Sequence, residues 1–258
     1  MKLTKVKKEE GKVVFEINDL TPAYVNSLRR IFANEVPTMA IQNLEIKKND
    51  SALYDEMIAH RMGLLVLKTD LKSYNLPEKG AEPSAATHVE MVLKAKGPKT
   101  VYAEELKSKD PKIKPVHGKT PIVKLGEGQE VELVARACLG YGTEHSKWST
   151  GLVSYYFKPK IEVNNNSKEL KDYINKYPKQ VVKDGKIDVK LINTPELIDA
   201  CNGVNEDIVK IIYERKHKDF VFTIESWGQL NPEEIVEKGI EVYNNKLGEF
   251  EKAISTIK

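Results

Sequence analysis

The stretch VVFEINDLTPAYVNSLRRIFANEVPTMAIQNLEIK, residues 13–47, changes its apolar period twice. Val13-Val14-Phe15-Glu16-Ile17 is short and β-rich, the signature of a strand. Thr21-Pro22 follows: an N-cap, then proline at the first helical position, where its missing N–H is not needed. Tyr24, Leu28, Ile31 and Phe32 then recur at helical spacing. Pro37 sets the limit of the helix, because the residue before a proline avoids the α region. From Ile41 to Lys47 the pattern alternates. Gln42, Leu44 and Ile46 fall on one side, and Ile41, Asn43 and Glu45 on the other. Strand, helix and strand in succession predict an α+β fold.

The far end mirrors this order. Residues 207–213 and 220–225 read as paired strands. Asn231-Pro232-Glu233-Glu234 is a helix start: a cap, a proline in the first turn, and acids near the positive end of the dipole. Val236, Ile240, Tyr243, Leu247, Phe250 and Ile254 follow at alternating steps of four and three, an a/d seam. Gly239 and Gly248 interrupt it. Two readings stand side by side: a helix packed on its own sheet, or one shared with a partner chain.

The middle is strand-rich. Val89, Met91, Leu93 and Ala95 alternate over 88–95, and Val131, Leu133, Ala135 and Ala137 over 129–138. The Lys/Pro/Gly-rich stretch between them reads as loop. Residues 152–158 form a further strand. Residues 163–207 are more polar, with short helices at 168–177 and 195–200 and a strand at 187–192.

The 258 residues are 40% hydrophobic, enough for a core, and net charge is only +3. The longest aliphatic run, Leu64-Leu65-Val66-Leu67, is far short of a membrane span. The N-terminus MKLTKVKKEE lacks the apolar region of a secretory leader, so a cytoplasmic location is expected. Residues 94–124 hold nine lysines against three acids. That segment is either a solvated charged loop or a phosphate-binding surface, and a stand-alone nucleic-acid-binding module is the alternative function it raises. Two cysteines, Cys138 and Cys201, are too few for a zinc or iron–sulfur site. Cys138 and His145 could pair as thiol and imidazole, but no third group orients them. No phosphate-binding glycine loop, dinucleotide fingerprint, metalloprotease motif or nucleophile elbow occurs. The absence points to a scaffold or binding subunit.

Four stretches together resemble one family: NDLTPAYVNSLRRIFANEVPTMAI (18–41), NLEIKKNDSALYDEMIAHRMGLLVL (43–67), ARACLGYGTEHSKWSTG (135–151) and FVFTIESWGQLNPEEIVEKGIEVY (220–243). They resemble the D subunit of archaeal RNA polymerase, counterpart of the bacterial α subunit and of the third-largest subunit of eukaryotic polymerase II. The resemblance implies a non-catalytic assembly subunit. Its dimerisation domain would be built from both chain ends, 1–46 and 208–258. A β-rich domain would occupy 47–162, and a small insert 163–207. It also implies a heterodimer with subunit L through Tyr24, Leu28, Ile31, Phe32, Val236, Ile240, Tyr243, Leu247 and Phe250. The large B subunit is expected to dock on Arg29, Arg30, Arg61, His145, Lys147 and Trp148, where arginine suits interface carboxylates and tryptophan makes hot spots. Trp148 also fits a core position. Small subunits N and P would join the same platform. Many relatives bind an iron–sulfur cluster in the region matching 163–207, which here has only Cys201, so no cluster is expected. The eukaryotic zinc loop would fall at 82–96, which has no cysteine, so no zinc is expected. Val66 and Thr150 stand where the family usually has proline.

Overall fold

The computed structural model describes residues 2–78, 80, 82–213 and 219–256. Strands β1 (Lys2–Glu9) and β2 (Lys12–Asn18) lead into helix α1 (Pro22–Asn34), and β3 (Thr38–Asn49) leads into α2 (Asp55–Gly63). Five strands follow: β4 (His88–Lys96), β5 (Lys99–Tyr102), β6 (Lys107–Ser108), β7 (Pro121–Leu125) and β8 (Glu130–Gly140). Next come β9 (Gly151–Phe157), β10 (Lys160–Val163), α3 (Leu170–Tyr173), β11 (Val182–Lys183), β12 (Lys186–Ile187) and α4 (Pro195–Cys201). Strands β13 (Val209–Ile212) and β14 (Phe220–Ser226) precede the long α5 (Pro232–Ser255). The chain forms two compact units, one of residues 3–15, 21–155 and 222–258, the other of 1–2, 16–20 and 156–221.

In the larger unit, α1 begins as its sequence dictates: Thr21 Oγ1 accepts the Tyr24 N–H at 3.3 Å, and Pro22 opens the first turn. Val25, Leu28, Ile31 and Phe32 form its buried face. The central ring is Phe222, in the four-stranded sheet ordered β1-β2-β14-β9. Phe15 stacks on it at 5.4 Å and Phe32 meets it edge-on at 5.7 Å. α5 lies on α1 at its N-terminal half, where Tyr243 touches Tyr24 at 5.6 Å in a T-shaped contact.

A second four-stranded sheet, ordered β3-β8-β4-β6, carries the other core of this unit. Val89, Met91, Leu93 and Ala95 of β4 and Val131, Leu133, Ala135 and Ala137 of β8 are buried on one face, as their alternation requires. The phase expected for β3 is corrected. The register shifts between Ile41 and Asn43, so Gln42 is a bulge residue. Ile41 therefore joins Leu44 and Ile46 on the core face instead of opposing them. The segment 94–124 is likewise not all loop, since β5, β6 and β7 lie within it.

In the smaller unit, β13 pairs with β10 from Lys160↔Ile212 to Val163↔Val209. Residues 207–213 and 220–225 are thus not partners, for β14 runs in the first sheet. The strand expected at 187–192 shrinks to a two-residue rung with β11 followed by a 3-10 turn. The helix expected at 168–177 is α3 plus another 3-10 turn. Leu170, Tyr177, Val181, Ile187, Ile198 and Cys201 belong to a small apolar core.

Candidate docking surfaces

Helix α5 changes character along its length. Ile235 and Gly239 are buried, Val236, Ile240 and Tyr243 half-buried. Beyond them Leu247 is 49% exposed, Phe250 64% and Ile254 53%. Steps of three and four keep these three on one face, and a Cβ at Gly248 would meet only open space. An exposed apolar stripe of this kind is suited to being covered by another chain. The residues expected beside it on α1 are placed differently. Leu28, Ile31 and Phe32 are at most 5% exposed and belong to the chain's own core. Tyr24 remains half-buried at the helix edge.

A second apolar surface belongs to α2. Asp55 and Glu56 sit in its first turn, and His60 and Arg61 in its last, matching the helix dipole. Ile58 and Met62 face inward, while Tyr54, Met57 and Leu64 are 77%, 49% and 49% exposed on the other side. Arg61 lies along that side. Its Nε donates to the Ile122 carbonyl at 2.7 Å and its Nη2 to Pro121 at 2.5 Å, so β7 holds the guanidinium in place. Sequence reasoning missed Tyr54, Met57 and Leu64; large apolar residues at spacings of three and seven were the available signal. Of the tandem arginines, Arg29 is half-buried and donates to Asn26 Oδ1 at 3.0 Å, while Arg30 is exposed.

The loop 141–150 is moulded onto the end of α1. The Thr150 hydroxyl donates to the Phe32 carbonyl at 2.6 Å, Thr150 N–H to Ala33 at 3.2 Å and Thr143 N–H to Asn34 at 3.2 Å. Three carbonyls that a helix leaves unsatisfied are thus met in turn. Thr150 is fully buried, so Thr150→Val is expected to lower stability by about 1–3 kcal/mol, read as a shift in urea midpoint.

Trp148 is the core tryptophan of the two roles considered for it. It is 5% exposed, packs with Ala40 and Cys138, and donates from Nε1 to the Cys138 carbonyl at 3.2 Å. A Cβ on Gly140 would lie 2.5 Å from its ring, so glycine there admits the indole. Its backbone neighbours stay outside: His145 is exposed and Lys147 half-buried, with Nζ 4.3 Å from the indole centre. Cys138 does not pair with His145. Its thiol donates to Gln42 Oε1 at 3.1 Å, and burial pushes it up to about 11, the state of an inert thiol.

Five of the nine lysines in the segment 94–124 pair with acids, four of those acids lying outside it. Lys94 pairs with Glu132 at 2.7 Å, Lys96 with Glu130 at 2.5 Å, Lys109 with Glu90 at 2.5 Å, Lys112 with Asp70 at 3.0 Å, and Lys99 with Glu105. On the outer sheet face Arg136 extends one row, reaching Glu90 at 3.4 Å and Glu45 at 3.7 Å. Such exposed pairs add little stability, but each sets a carboxylate beside a lysine that would otherwise face phosphate. The isolated chain is expected not to retain duplex DNA on a filter even at low salt; retention that falls steeply with added salt would restore the nucleic-acid reading.

A metal centre fits poorly. Among the described residues no group of three or more His, Cys, Asp or Glu side chains could hold an ion. In 163–207, Cys201 is the one cysteine, fully buried against apolar neighbours, and burial raises its thiol. An iron–sulfur cluster needs several thiolates, and this donor set does not supply them. Among the described residues, no helix is long and apolar enough to cross a membrane.

The RNA polymerase Rpb3/RpoA insert domain family matches residues 40–153. The chain is 36% identical over 251 residues to DNA-directed RNA polymerase subunit Rpo3 of Methanosphaera stadtmanae, covering 93% of both proteins. It is 34% identical to the Rpo3 subunit of Pyrococcus furiosus over 95% of this chain and 94% of that protein. The Rpo3 subunit of Archaeoglobus fulgidus is also 34% identical, over 98% and 97%.

Proposed function

Since the chain belongs to the Rpo3 family of DNA-directed RNA polymerase subunits, we propose that it is the platform on which that polymerase assembles. It pairs with the small subunit L through the last turns of α5. It receives the large B subunit on the exposed face of α2 and the adjoining 145–147 segment, and subunits N and P join the assembled pair. In this reading 1–46 and 208–258 form the dimerisation domain, 47–162 the inserted β-rich domain and 163–207 a small insert. The observation that carries it is the exposed run Leu247, Phe250 and Ile254 on one face of α5. Co-expression with the cognate subunit L, followed by light scattering on a sizing column, tests it. A 1:1 complex is expected, and a lone monomer or a homodimer would sink the reading.

The chain is also inferred to carry no cofactor. Cys201 is the one cysteine of 163–207 and is buried among apolar side chains, while a cluster needs several thiolates, which supports the inference. Elemental analysis of the purified protein is expected to find neither iron nor zinc. One equivalent of either metal would overturn it.

A further inference from the structure

Gln42, His60, His145 and Lys147 line one cleft of about 130 Å³, with Leu44 and Leu64 beside them. Among its described lining residues there is no carboxylate. Three of its polar groups are held as hydrogen-bond donors. His145 Nδ1 accepts the Lys147 backbone N–H at 3.0 Å, so a neutral ring carries its proton on Nε2. Gln42 Oε1 accepts the Cys138 thiol at 3.1 Å, which leaves its NH₂ to donate. The high Cys138 pKa, about 11, keeps that thiol protonated. Lys147 Nζ donates to the Ile41 carbonyl at 3.0 Å, and two of its three N–H groups remain. Asn43 and His60 also line the cleft and can accept as well as donate, but the Lys147, His145 and Gln42 donors share it with no carboxylate, which suits an anion. Burial lowers the Lys147 pKa, a cost that an incoming carboxylate would offset. The cleft is smaller than the roughly 300 Å³ at which small-molecule sites begin. A side-chain carboxylate fits it. Leu64 belongs both to the cleft and to the exposed apolar face of α2.

We propose that this cleft receives one Asp or Glu side chain of the large subunit, anchored by Lys147, His145 and Gln42. The inference rests on the large-subunit docking reading above. The test is carbodiimide coupling of the complete polymerase, which joins an amine to a carboxylate in contact with it, followed by peptide mass spectrometry. An isopeptide bond between Lys147 Nζ and a large-subunit acid is expected. In parallel, the heterodimer bearing Lys147→Met is expected to bind the large subunit at least ten-fold more weakly, with Lys147→Arg retaining most of the affinity. Met57→Glu serves as the control for the docking surface. If Met57→Glu abolishes binding while Lys147→Met leaves it unchanged and Lys147 stays uncoupled, the carboxylate site is wrong and the docking surface stands. If neither substitution weakens binding, both fall. Coupling of Lys147 to an acid of its own chain also overturns the site.

Discussion

Gly239→Ala is expected to destabilise the fold by about 2 kcal/mol, although alanine is worth up to about 1 kcal/mol more than glycine in a helix interior. A Cβ built at this position lies 2.2 Å from Phe32 Cδ1 and 2.6 Å from Cε1. The ring has nowhere to go, since Phe32 is 1% exposed and already edge-on to Phe222. α5 must therefore lift from α1, and Tyr24 and Tyr243 part with it. Chemical denaturation of the single variants and of Gly239→Ala with Phe32→Leu checks this. A smaller side chain at 32 makes room, so the double variant should cost less than the sum of the singles. Strict additivity would mean that the clash is relieved elsewhere. Gly248→Ala, with open space around it, is expected to be neutral or mildly stabilising in the isolated chain.

Leu247→Glu combined with Phe250→Glu is expected to weaken binding of subunit L by roughly a hundred-fold or more, the loss of two apolar interface anchors. The fold should be little affected, because Leu247 is half exposed and Phe250 mostly exposed already. Leu28→Glu belongs to the same apolar set in sequence but acts by another route. Leu28 is 2% exposed, so an unpaired carboxylate there is buried in the core. That variant is expected to unfold or aggregate, losing the partner only as a consequence. Titration calorimetry against subunit L, with circular dichroism of each variant, separates the two. A well-folded Leu28→Glu that fails to bind would return α1 to the interface. A double glutamate variant that binds normally would remove α5 from it.

The ends of the helices were legible in sequence because their signals are local. Thr21-Pro22 and Asn231-Pro232 bracket backbone groups within four residues, and the structure uses both as caps. The alternation of β4 and β8 was legible because both faces of each strand have distinct neighbours along the whole length. β3 was not, since its bulge at Gln42 is set by pairing with β8, nearly a hundred residues away. The pairing of β13 with β10 instead of β14 was hidden for the same reason: adjacent strands need not be neighbours in a sheet.

The docking surfaces divide in the same way. Sequence alone determined that this is an α+β chain without a catalytic motif, closed by an apolar helical seam. It also fixed that 163–207 lacks the thiolates a cluster needs. These follow from residue type and short-range spacing. Tertiary structure alone decided which apolar residues are surface. Leu28 and Leu247 carry the same side chain at the same kind of helical position. One is buried in the chain's own core and the other is half exposed. Tertiary structure likewise set five lysines of 94–124 against acids, four of them from outside that segment. It brought Gln42, His60 and His145 to one cleft from three separate stretches. Burial and charge balance are sums over neighbours in space, and a linear pattern carries only the neighbours in sequence.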